Sequence, residues 1–352
     1  MNKSTDVLII GSGLTGLTLA KNLEEQGKNY LVLDARDRIG GRINTIEVDN
    51  GTKVEMGATW FFPHFKNLFK LLKSLNVSLK EQFMKGYTLY EFSESQKPRK
   101  IYSGGDNDMF RISGGTSNIV HSLYNSIGQH NVLLSQQVKK IAKTVSGMEV
   151  ETANSEVFQC KIVVSTIPPQ LLQHSMVFEP ELPSKLSQIM RGTHTWMGDS
   201  VKAVVTYDNA WWKQDGLSGG LYSNDGPVAQ MYDQSDENGA AIVGFLDDTT
   251  AEWTGSQRQE AVIEQLVRVF GDKAQGYKTY KDTVWRNEPF TMPTGEARLP
   301  GHSNVGHSVY QVPYIDGGLY IGGTETSTWA GGFMEGAVYS ANFIANKLAD
   351  LH

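Results

Sequence analysis

An apolar run and a glycine-rich turn near the N-terminus decide the fold, and they read Val7-Leu8-Ile9-Ile10-Gly11-Ser12-Gly13-Leu14-Thr15-Gly16. The run Val7 to Ile10 predicts a buried strand, and the turn leads into a helical stretch, Leu17 to Gln26, that ends at Gly27. A second apolar run, Tyr30 to Leu33, completes a strand, helix, strand unit. Its two strands are expected to be parallel because the helix between them has the length of a crossover connection.

The glycines of this turn have G-x-G-x-x-G spacing, placed directly after a strand and directly before a helix. Gly11 permits the tight turn, Gly13 lets backbone N–H groups approach a pyrophosphate, and Gly16 allows close packing of the helix on the strand. Asp34 ends the second strand, where a carboxylate can accept hydrogen bonds from a ribose. A glycine turn without a ligand is the alternative. The complete arrangement favours a dinucleotide and leaves the choice between NAD and FAD open.

The residues after the second strand bear on that choice, and they read Leu33-Asp34-Ala35-Arg36-Asp37-Arg38-Ile39-Gly40-Gly41-Arg42. This run resembles the FAD-binding fingerprint of the flavin-containing amine oxidases. Gly40 and Gly41 would let the chain wrap the cofactor, and Arg42 would offer a planar cation to its phosphates. A surface loop rich in Arg and Gly is the alternative, but the position directly after Asp34 favours FAD.

A second stretch of resemblance lies near the C-terminus, where Tyr320-Ile321-Gly322-Gly323-Thr324-Glu325-Thr326 precedes Phe333, Met334 and a final helix. It is similar to the flavin-contacting motif of the monoamine oxidases. In that family the turn reaches back to the ribityl chain and pyrophosphate, and the following helix begins near the flavin ring. An amphipathic terminal helix after a glycine turn is the alternative. The resemblance implies that the two ends of the chain converge on one cofactor.

Weaker resemblances fill the middle of the chain. The segment Glu55 to Trp60 matches the family's early loop near the flavin, and Gln137-Val138 lies where the family contacts adenine through backbone. The cofactor-binding residues that the resemblance implies are Gly11, Ser12, Gly13, Leu14, Thr15, Gly16, Asp34, Ala35, Arg36, Gly40, Gly41, Arg42, Met56, Gly57, Ala58, Thr59, Val138, Gly323, Thr324, Glu325, Phe333 and Met334.

Two departures from the family bear on the chemistry. The family often places a lysine near flavin N5, where it can hold a water that participates in reoxidation. Alignment through Ala240 to Leu246 puts Thr250 at that position, so the lysine is expected to be missing, with Lys202 or solvent as the alternative occupant. No cysteine lies between Trp285 and Tyr320, where some monoamine oxidases attach their flavin. Noncovalent FAD is therefore expected.

The aromatic cage that guides amines to the flavin is also altered. Phe333 stands in the place of one cage tyrosine, and Trp285, Tyr310 and Tyr314 are candidates for the second wall, although each could equally be a core aromatic. The residues expected to take part in catalysis are Phe333, Trp285 and Thr250. His64 and His194 are possible polar groups of the cavity without an assigned catalytic role.

The remaining pattern predicts a second domain. From about residue 195 to 285, strand signals dominate and a single helix interrupts them. The expected fold class is α/β, in the form of an α+β two-domain protein: a Rossmann-like FAD-binding domain and a second, mixed-sheet substrate domain. The expected boundaries assign residues 1–64, 111–190 and 291–352 to the FAD-binding domain, and residues 65–110 and 191–290 to the substrate domain.

Composition and charge limit the classes of binding partner that the sequence predicts. The 352 residues carry a formal net charge of −6 with both signs interspersed, which argues against nucleic acid and favours a small molecule. No metal site is expected, and no apolar stretch reaches the roughly 18 residues needed to cross a bilayer. The chain enters its first strand without a signal-peptide pattern and has one cysteine, Cys160, so a soluble, cytoplasmic protein is expected.

The resemblance implies an FAD-dependent oxidoreductase that oxidises an amine to an imine, with O2 as acceptor and H2O2 as product. Two alternatives remain open at this point. One is a flavin dehydrogenase or desaturase that acts on a nonamine and passes electrons to another acceptor. The other is a flavin-binding protein without oxidase activity.

Overall fold

The computed structural model describes residues 4–48, 51–103, 108–295 and 298–349. The α-helices of this part of the chain are α1 (Leu14–Glu25), α2 (Lys66–Ser74), α3 (Ser117–Asn125), α4 (Pro169–Ser175), α5 (Ser184–Arg191), α6 (Trp211–Gln214), α7 (Gly255–Phe270) and α8 (Met334–Ala349). Short 3-10 helices cover Gln129–Asn131, Asp248–Glu252, Asp272–Gly276, Trp285–Asn287, Ser308–Gln311 and Thr324–Thr326.

The strands in chain order are β1 (Ser4–Ile10), β2 (Tyr30–Leu33), β3 (Thr45–Val48), β4 (Thr52–Glu55), β5 (Leu79–Glu81), β6 (Gly86–Glu91), β7 (Arg99–Ser103), β8 (Phe110–Ile112), β9 (Val132–Leu133), β10 (Val138–Thr144), β11 (Gly147–Thr152), β12 (Val157–Ser165), β13 (Val177–Glu179), β14 (Val201–Tyr207), β15 (Leu217–Ser223), β16 (Val228–Asp233), β17 (Ala240–Leu246), β18 (Tyr280–Val284) and β19 (Leu319–Ile321).

The first sheet contains the N-terminal strand, helix, strand unit. Its order is β13-β10-β11-β12-β1-β2-β9, and β19 also pairs with β12. β1 runs parallel to β2, as the crossover length predicted, and also to β12. The carboxyl ends of these parallel strands therefore meet at one edge of the sheet, which is where open α/β sheets bind their ligands.

Alternating side chains of β1 build the core on both faces of this sheet. Val7 and Ile9 pack with residues of α1 and α8, including Leu17 and Ala341. Leu8 and Ile10 point the other way, into a cluster with β10–β12. This period of two explains why a run of four apolar residues is buried on both sides.

The second sheet has the order β18-β14-β17-β16-β15-β6-β7, and all its pairs are antiparallel except β15 with β6. Val201, Ala203 and Val205 of β14 face the cluster that contains the α7 side chains. Val204 faces a different cluster, with Val54 and Met56. The side chain of residue 202 must share the face of Val204 because alternate strand residues point the same way.

The observed architecture confirms the predicted fold class, a Rossmann-like α/β part joined to a mixed sheet. Several elements have nearly the bounds that the sequence pattern predicts, namely a strand over 201–207 for β14, a strand over 241–246 for β17 and a helix over about 257–270 for α7. β1 begins three residues before the predicted strand and α1 three residues before the predicted helix. The division of the chain into two domains at the stated boundaries stays a prediction.

Candidate functional site

One large cavity, of about 420 Å³, opens at the carboxyl edge of the first sheet and extends to the second sheet. Its lining joins segments from both ends of the chain, because the glycine turn after β1 and the start of α8 meet there. The predicted cofactor-binding residues that line it are Gly11, Gly13, Leu14, Thr15, Asp34, Ala35, Arg36, Gly40, Gly41, Arg42, Gly57, Ala58, Thr59, Val138, Thr324, Phe333 and Met334.

The glycine turn has the geometry that a pyrophosphate needs. Gly11 has φ +104°, and a Cβ on Gly16 would lie 1.9 Å from the carbonyl oxygen of Gly11, so neither position accepts a side chain. Gly13 is the N-cap of α1, which has neither a side-chain cap nor an acidic residue in its first turn. The N–H groups of this helix end are therefore free to face an anion in the cavity.

Asp34 is buried at the end of β2 and lines the cavity. Its Oδ2 accepts hydrogen bonds from the backbone N–H of Ser12 at 2.6 Å and from Ser12 Oγ at 2.7 Å, and its Oδ1 accepts one from the N–H of Arg36 at 2.9 Å. A carboxylate has about four acceptor positions, so one remains for a ribose hydroxyl. Ser12 itself does not line the cavity; it orients Asp34 from behind.

Two arginines of the fingerprint tie this loop to distant segments. The Arg36 guanidinium donates to the carbonyl oxygen of Pro289 at 2.7 Å and to Thr291 Oγ1 at 2.9 Å. Arg42 forms a two-point ion pair with Glu325, with Nη2 to Oε2 at 2.9 Å. Arg42 lines the cavity as predicted, whereas the fully buried Glu325 holds it from behind.

The C-terminal turn places the start of α8 at the cavity. Gly323 has φ +127° and donates its N–H to Ser340 Oγ at 3.1 Å, so it shapes the turn without lining the cavity. Thr324 Oγ1 donates to the carbonyl oxygen of Phe333 at 2.7 Å. Phe333 and Met334 thereby reach the cavity at the N-terminus of the helix, as the resemblance implied.

A buried lysine, Lys202, lies behind the loop 57–60; from the sequence it was only the alternative to Thr250. Lys202 is fully buried on the inner face of β14, and its Nζ donates to the carbonyl oxygen of Gly57 and to Thr59 Oγ1. The Nζ also lies 4.8 Å from the ring centroid of Trp60 and 5.5 Å from that of Phe245. Gly57, Thr59, Trp60 and Phe245 all line the cavity.

Burial controls the charge of this lysine. It lowers the pKa of Lys202 to about 7, against a smaller opposing effect of Glu55. Glu55 is itself buried, and burial raises the pKa of its carboxyl group. It accepts hydrogen bonds from the N–H of Thr116 at 2.6 Å and from Thr45 Oγ1 at 2.9 Å. A neutral amine and a protonated one are thus close in free energy at Lys202 near neutral pH.

The structure corrects the assignment of Thr250. This residue lies in the 3-10 helix that follows β17, is buried, and donates its hydroxyl to the carbonyl oxygen of Asp247 at 2.7 Å. It does not line the cavity. The register was wrong after Phe245, because the chain leaves the sheet at Leu246 and turns away. A different residue, Lys202, brings an amine behind the cavity-lining residues Gly57 and Thr59.

The structure also corrects the residues predicted to form the aromatic walls of the cavity. Trp285 is fully buried and donates Nε1 to the carbonyl oxygen of Met56 at 2.8 Å. Tyr310 pairs with Thr193, its hydroxyl 2.6 Å from Thr193 Oγ1, and Tyr314 donates to a backbone carbonyl. None of these three aromatic residues lines the cavity, and neither do Met56, Gly16, His64 and His194.

The aromatic residues that do form walls come from separate segments. Trp196 and Phe333 stack with ring centroids 6.2 Å apart and an interplanar angle of 29°. On another side, the Trp60 ring lies 4.8 Å from Tyr232 and 6.0 Å from Phe245. Sequence alternation could have indicated Tyr232 and Phe245 as residues of one sheet face, but not which face meets the cavity.

The sole cysteine is remote from this site. Cys160 is buried in β12, does not line the cavity, and burial raises the pKa of its thiol to about 12. A cysteinyl link to a flavin in the cavity is therefore ruled out by position, as noncovalent FAD requires. Within the described ranges, no three His, Cys, Asp or Glu side chains group so as to hold a metal ion. No helix there is long and apolar enough to cross a membrane.

Comparisons with known proteins identify the family of this chain. The sequence profile of the family described as flavin containing amine oxidoreductase matches residues 14–100 and 95–349. The chain is 25% identical to the flavin-containing amine oxidase A of Equus caballus, over 97% of this chain and 84% of that protein. It is 24% identical to a probable flavin-containing monoamine oxidase A of Dictyostelium discoideum, over 99% and 98% of the two chains.

Two solved structures share the fold. A putrescine oxidase bound to putrescine superimposes with a TM-score of 0.86 at 20% identity, over 98% of this chain and 99% of that one. A cyclohexylamine oxidase from Brevibacterium oxydans gives the same TM-score, identity and coverage. By its match to the family profile over most of its length, the chain belongs to the flavin-containing amine oxidoreductases and is an FAD-dependent oxidoreductase.

Proposed function

We propose that this protein oxidises an apolar monoamine to the imine, with O2 as the electron acceptor and H2O2 as the second product. The amine loses two electrons and two protons, which O2 takes up. One observation carries the proposal: a single cavity joins the glycine turn, Asp34 and Arg42 to aromatic walls backed by Lys202. The first group of residues suits a dinucleotide and the second suits an organic amine.

The residues of the first sheet would hold FAD. The N-terminus of α1 would face the pyrophosphate, Asp34 would accept from a ribose hydroxyl, and Arg42 would balance phosphate charge. When bound, FAD supplies the two-electron acceptance that no side chain of this site provides. The chain's own task is to orient the amine and to exclude water from the reacting carbon.

Charge at the cavity wall favours a neutral amine. Among the described residues that line the cavity, Asp34 is the sole carboxylate, and it is engaged with Ser12 and Arg36. An ammonium group near the aromatic walls would thus lack an anionic partner, and Lys202 would repel it when protonated. The free base is therefore the form that reacts.

The same charge distribution suggests the substrate class. A diamine such as putrescine, which the putrescine oxidase binds, would need an acceptor for its second ammonium group. Trp60, Tyr232, Phe245 and Phe333 offer apolar rings instead. This supports an amine with one nitrogen and a cyclic or aromatic body, as in the substrate that gives the cyclohexylamine oxidase its name.

The position of Lys202 favours the oxidase over the dehydrogenase. Absence of a lysine beside the flavin would favour a dehydrogenase, whereas Lys202 lies behind Gly57 and Thr59. We therefore propose that Lys202 holds the water that takes part in reoxidation by O2, the role that the family resemblance implies for such a lysine.

Anaerobic mixing with a panel of amines tests the proposal. Monoamines with cyclic or aromatic bodies should bleach the flavin absorption band, and admitting air should restore it with one equivalent of H2O2. Bleaching by nonamines alone would support the dehydrogenase, and no bleaching by any compound would support a binding role. Putrescine at matched concentration of free base is the control for substrate class.

We also propose a cytoplasmic location. It is supported by the single cysteine, which cannot form a disulfide within the chain and suits a reducing compartment. Fractionation of cells that express the tagged protein at native level tests this, and recovery with membranes would contradict it.

A further inference from the structure

A buried carboxylate lies beside the aromatic wall and has no part in the proposed reaction. Glu335 is the second residue of α8 and follows the cavity-lining Phe333 by two positions. It is fully buried, and it does not line the cavity itself. A carboxylate that has lost its water is destabilising unless hydrogen bonds or a cation compensate for the loss, so its partners indicate its role.

Four hydrogen bonds compensate Glu335, and all four partners are donors. Its Oε1 accepts from Asn67 Nδ2 at 2.7 Å, from the backbone N–H of Asn67 at 3.2 Å and from Trp329 Nε1 at 3.2 Å. Its Oε2 accepts from the backbone N–H of Leu68 at 2.8 Å. An ionised carboxylate, which accepts hydrogen bonds and donates none, suits these surroundings.

Two of these bonds cap the N-terminus of α2 from a distant part of the chain. The first N–H groups of a helix have no intrahelical acceptor, and a Ser, Thr, Asp or Asn at the N-cap usually accepts from one of them. The N-cap of α2 is Phe65, whose side chain cannot accept, and no acidic residue lies in its first turn. Glu335, 267 positions after Leu68, supplies both the acceptors and the negative charge that this helix end favours.

The capped end of α2 carries a buried ring that contacts the cavity wall from behind. Phe65 is buried, and its N–H donates to the carbonyl oxygen of Phe62 at 3.0 Å. Its ring centroid lies 5.5 Å from that of Phe62 and 5.4 Å from that of Phe333. Phe62 and Phe333 both line the cavity, whereas Phe65 does not. The position of Phe65 therefore affects two aromatic residues of the wall.

Glu335 connects the two helix starts that hold these rings. Phe333 directly precedes α8, and its carbonyl oxygen accepts from the N–H of Ala337 at 3.2 Å. Leu68 of α2 and Val338 of α8 belong to one apolar cluster, but apolar burial is not directional. The hydrogen bonds of Glu335 are directional, so they select one arrangement of α2 against α8.

We propose that Glu335 is a positioning residue for the amine, which holds Phe62 and Phe333 at the separation that suits a cyclic or aromatic body. This inference rests on the proposed function. Glu335→Gln leaves one acceptor oxygen and turns an NH2 group toward the remaining donors of α2, so the two helix starts should separate. A ring held by the aromatic wall would then lose contact, whereas a short linear amine would lose less.

Steady-state kinetics of FAD-loaded Glu335→Gln with cyclohexylamine and n-butylamine test this role. The ratio of kcat/KM for the cyclic amine to that for the linear amine should fall about three- to tenfold, mainly through the KM of cyclohexylamine. A merely structural role would lower the active fraction for both amines and leave the ratio unchanged.

Glu91→Gln is the matched control. Glu91 is buried on β6 and accepts from three side chains, those of Ser223, Gln265 and Arg268. Its loss should destabilise the protein through the same kind of unsatisfied donors, but these donors belong to β15 and α7 and not to α2 or α8. The ratio for the two amines should therefore stay at the wild-type value.

A double-mutant cycle tests whether Glu335 acts through Phe65. In a Phe65→Leu background, Glu335→Gln should change the ratio by less than about twofold, because the ring contact that carries the effect is already lost. An equal effect in both backgrounds would overturn the proposal. Should Glu335→Gln fail to fold, Asn67→Ala removes the 2.7 Å bond and keeps the carboxylate. It should lower the ratio by a smaller factor, and an unchanged ratio would overturn the proposal.

Failure of the proposed function would give a different result. If the wild type is active and Glu335→Gln has the same ratio, the positioning role is overturned and the function stands. If the wild type oxidises no amine, the function fails, and crystal structures of wild type and Glu335→Gln then test the role of the carboxylate. The Phe62 and Phe333 rings should lie farther apart in the variant, and an unchanged separation would overturn the inference.

Discussion

Arg42 and Glu325 are 283 positions apart in the chain and form a two-point ion pair at the edge of the flavin cavity. Glu325 is almost fully enclosed, while a fifth of the Arg42 side chain is exposed. Arg42 Nη1 also donates to the carbonyl oxygen of Trp196 at 2.7 Å. One guanidinium therefore connects the fingerprint loop, the C-terminal turn and the aromatic wall.

The substitution Glu325→Gln should loosen all three segments. We expect a loss of about 2–3 kcal/mol in the free energy of unfolding, below the range for a fully enclosed pair because Arg42 is partly exposed. FAD affinity should fall about tenfold, measured by the recovery of flavin fluorescence on dilution. The exposed pair Lys143–Asp316 provides the control. Asp316→Asn should change stability by less than about 0.5 kcal/mol.

Asp34→Ala should weaken the retention of FAD, because it removes the acceptor assigned to the ribose and frees Ser12. We expect a rise of about tenfold or more in the FAD dissociation constant, consistent with the loss of a charge-assisted hydrogen bond. Ser12→Ala removes one hydrogen bond and leaves the carboxylate, so its effect should be smaller. Unchanged FAD affinity in Asp34→Ala would contradict the ribose assignment.

The buried Lys202 should make stability depend on pH. Its pKa is about 7 in the folded protein and near 10.4 in the unfolded chain, so the unfolded state binds more protons between these values. The free energy of unfolding should therefore rise with pH across this window through this group. Below pH 7 Lys202 is protonated in both the folded and the unfolded state, so the free-energy cost of burying its charge no longer changes with pH.

Lys202→Met should flatten that pH dependence. Denaturant titrations at several pH values from neutral to mildly alkaline, on both proteins with bound FAD, measure the difference in slope. Lys140→Met, at a lysine whose pKa is raised by its partner Glu179, is the control and should keep the wild-type slope in this range. Equal slopes in wild type and Lys202→Met would show that the Lys202 amine of the folded protein is protonated across this pH range.

Phe333→Ala should impair the oxidation of aromatic and cyclic amines. Phe333 packs against Phe65 at 5.4 Å and Trp196 at 6.2 Å between centroids. Its loss therefore removes one wall of the cavity and loosens the wall that Trp196 forms. We expect kcat/KM to fall about tenfold, corresponding to the free energy of one aromatic contact, with FAD content unchanged. Phe92→Ala, at an exposed aromatic residue, should leave kcat/KM unaltered.

Denaturation should release the flavin completely, because Cys160 is enclosed in β12 and cannot reach the cavity. After precipitation with acid, the yellow colour should remain in the supernatant and elute as intact FAD. A yellow pellet would indicate a covalent link through another side chain.

Much of the cofactor site could be predicted because its signals are local. The spacing of Gly11, Gly13 and Gly16 and the acid at Asp34 lie within one strand, helix, strand unit, whose geometry short-range rules specify. Ser12 and Glu325 were predicted as cofactor contacts and instead support Asp34 and Arg42. The motif indicates that a polar residue lies near the cofactor. It does not show whether that residue contacts the cofactor or supports a neighbour that does.

The substrate side was predicted less well. Thr250 was assigned to the place beside the flavin because an alignment carried past the end of a strand loses its register. Lys202 lies on a strand with known alternation, but its face was ambiguous because β14 is buried on both sides. Trp196 lies outside any strand or helix, so no periodicity indicated its direction.

The sequence by itself determined the Rossmann-like unit and the mixed second sheet, because these depend on periodicity and short motifs. The cofactor and the family followed from the resemblance of motifs near both ends of the chain. Only the tertiary structure decided which side chains line the cavity and which support it from behind. Lys202 and Gly57 are 145 positions apart, and their contact exists because one face of β14 packs against the loop after β4. Burial in that contact lowers the pKa of Lys202. The neighbours of this side chain come from two sheets, so no local stretch of sequence specifies its environment.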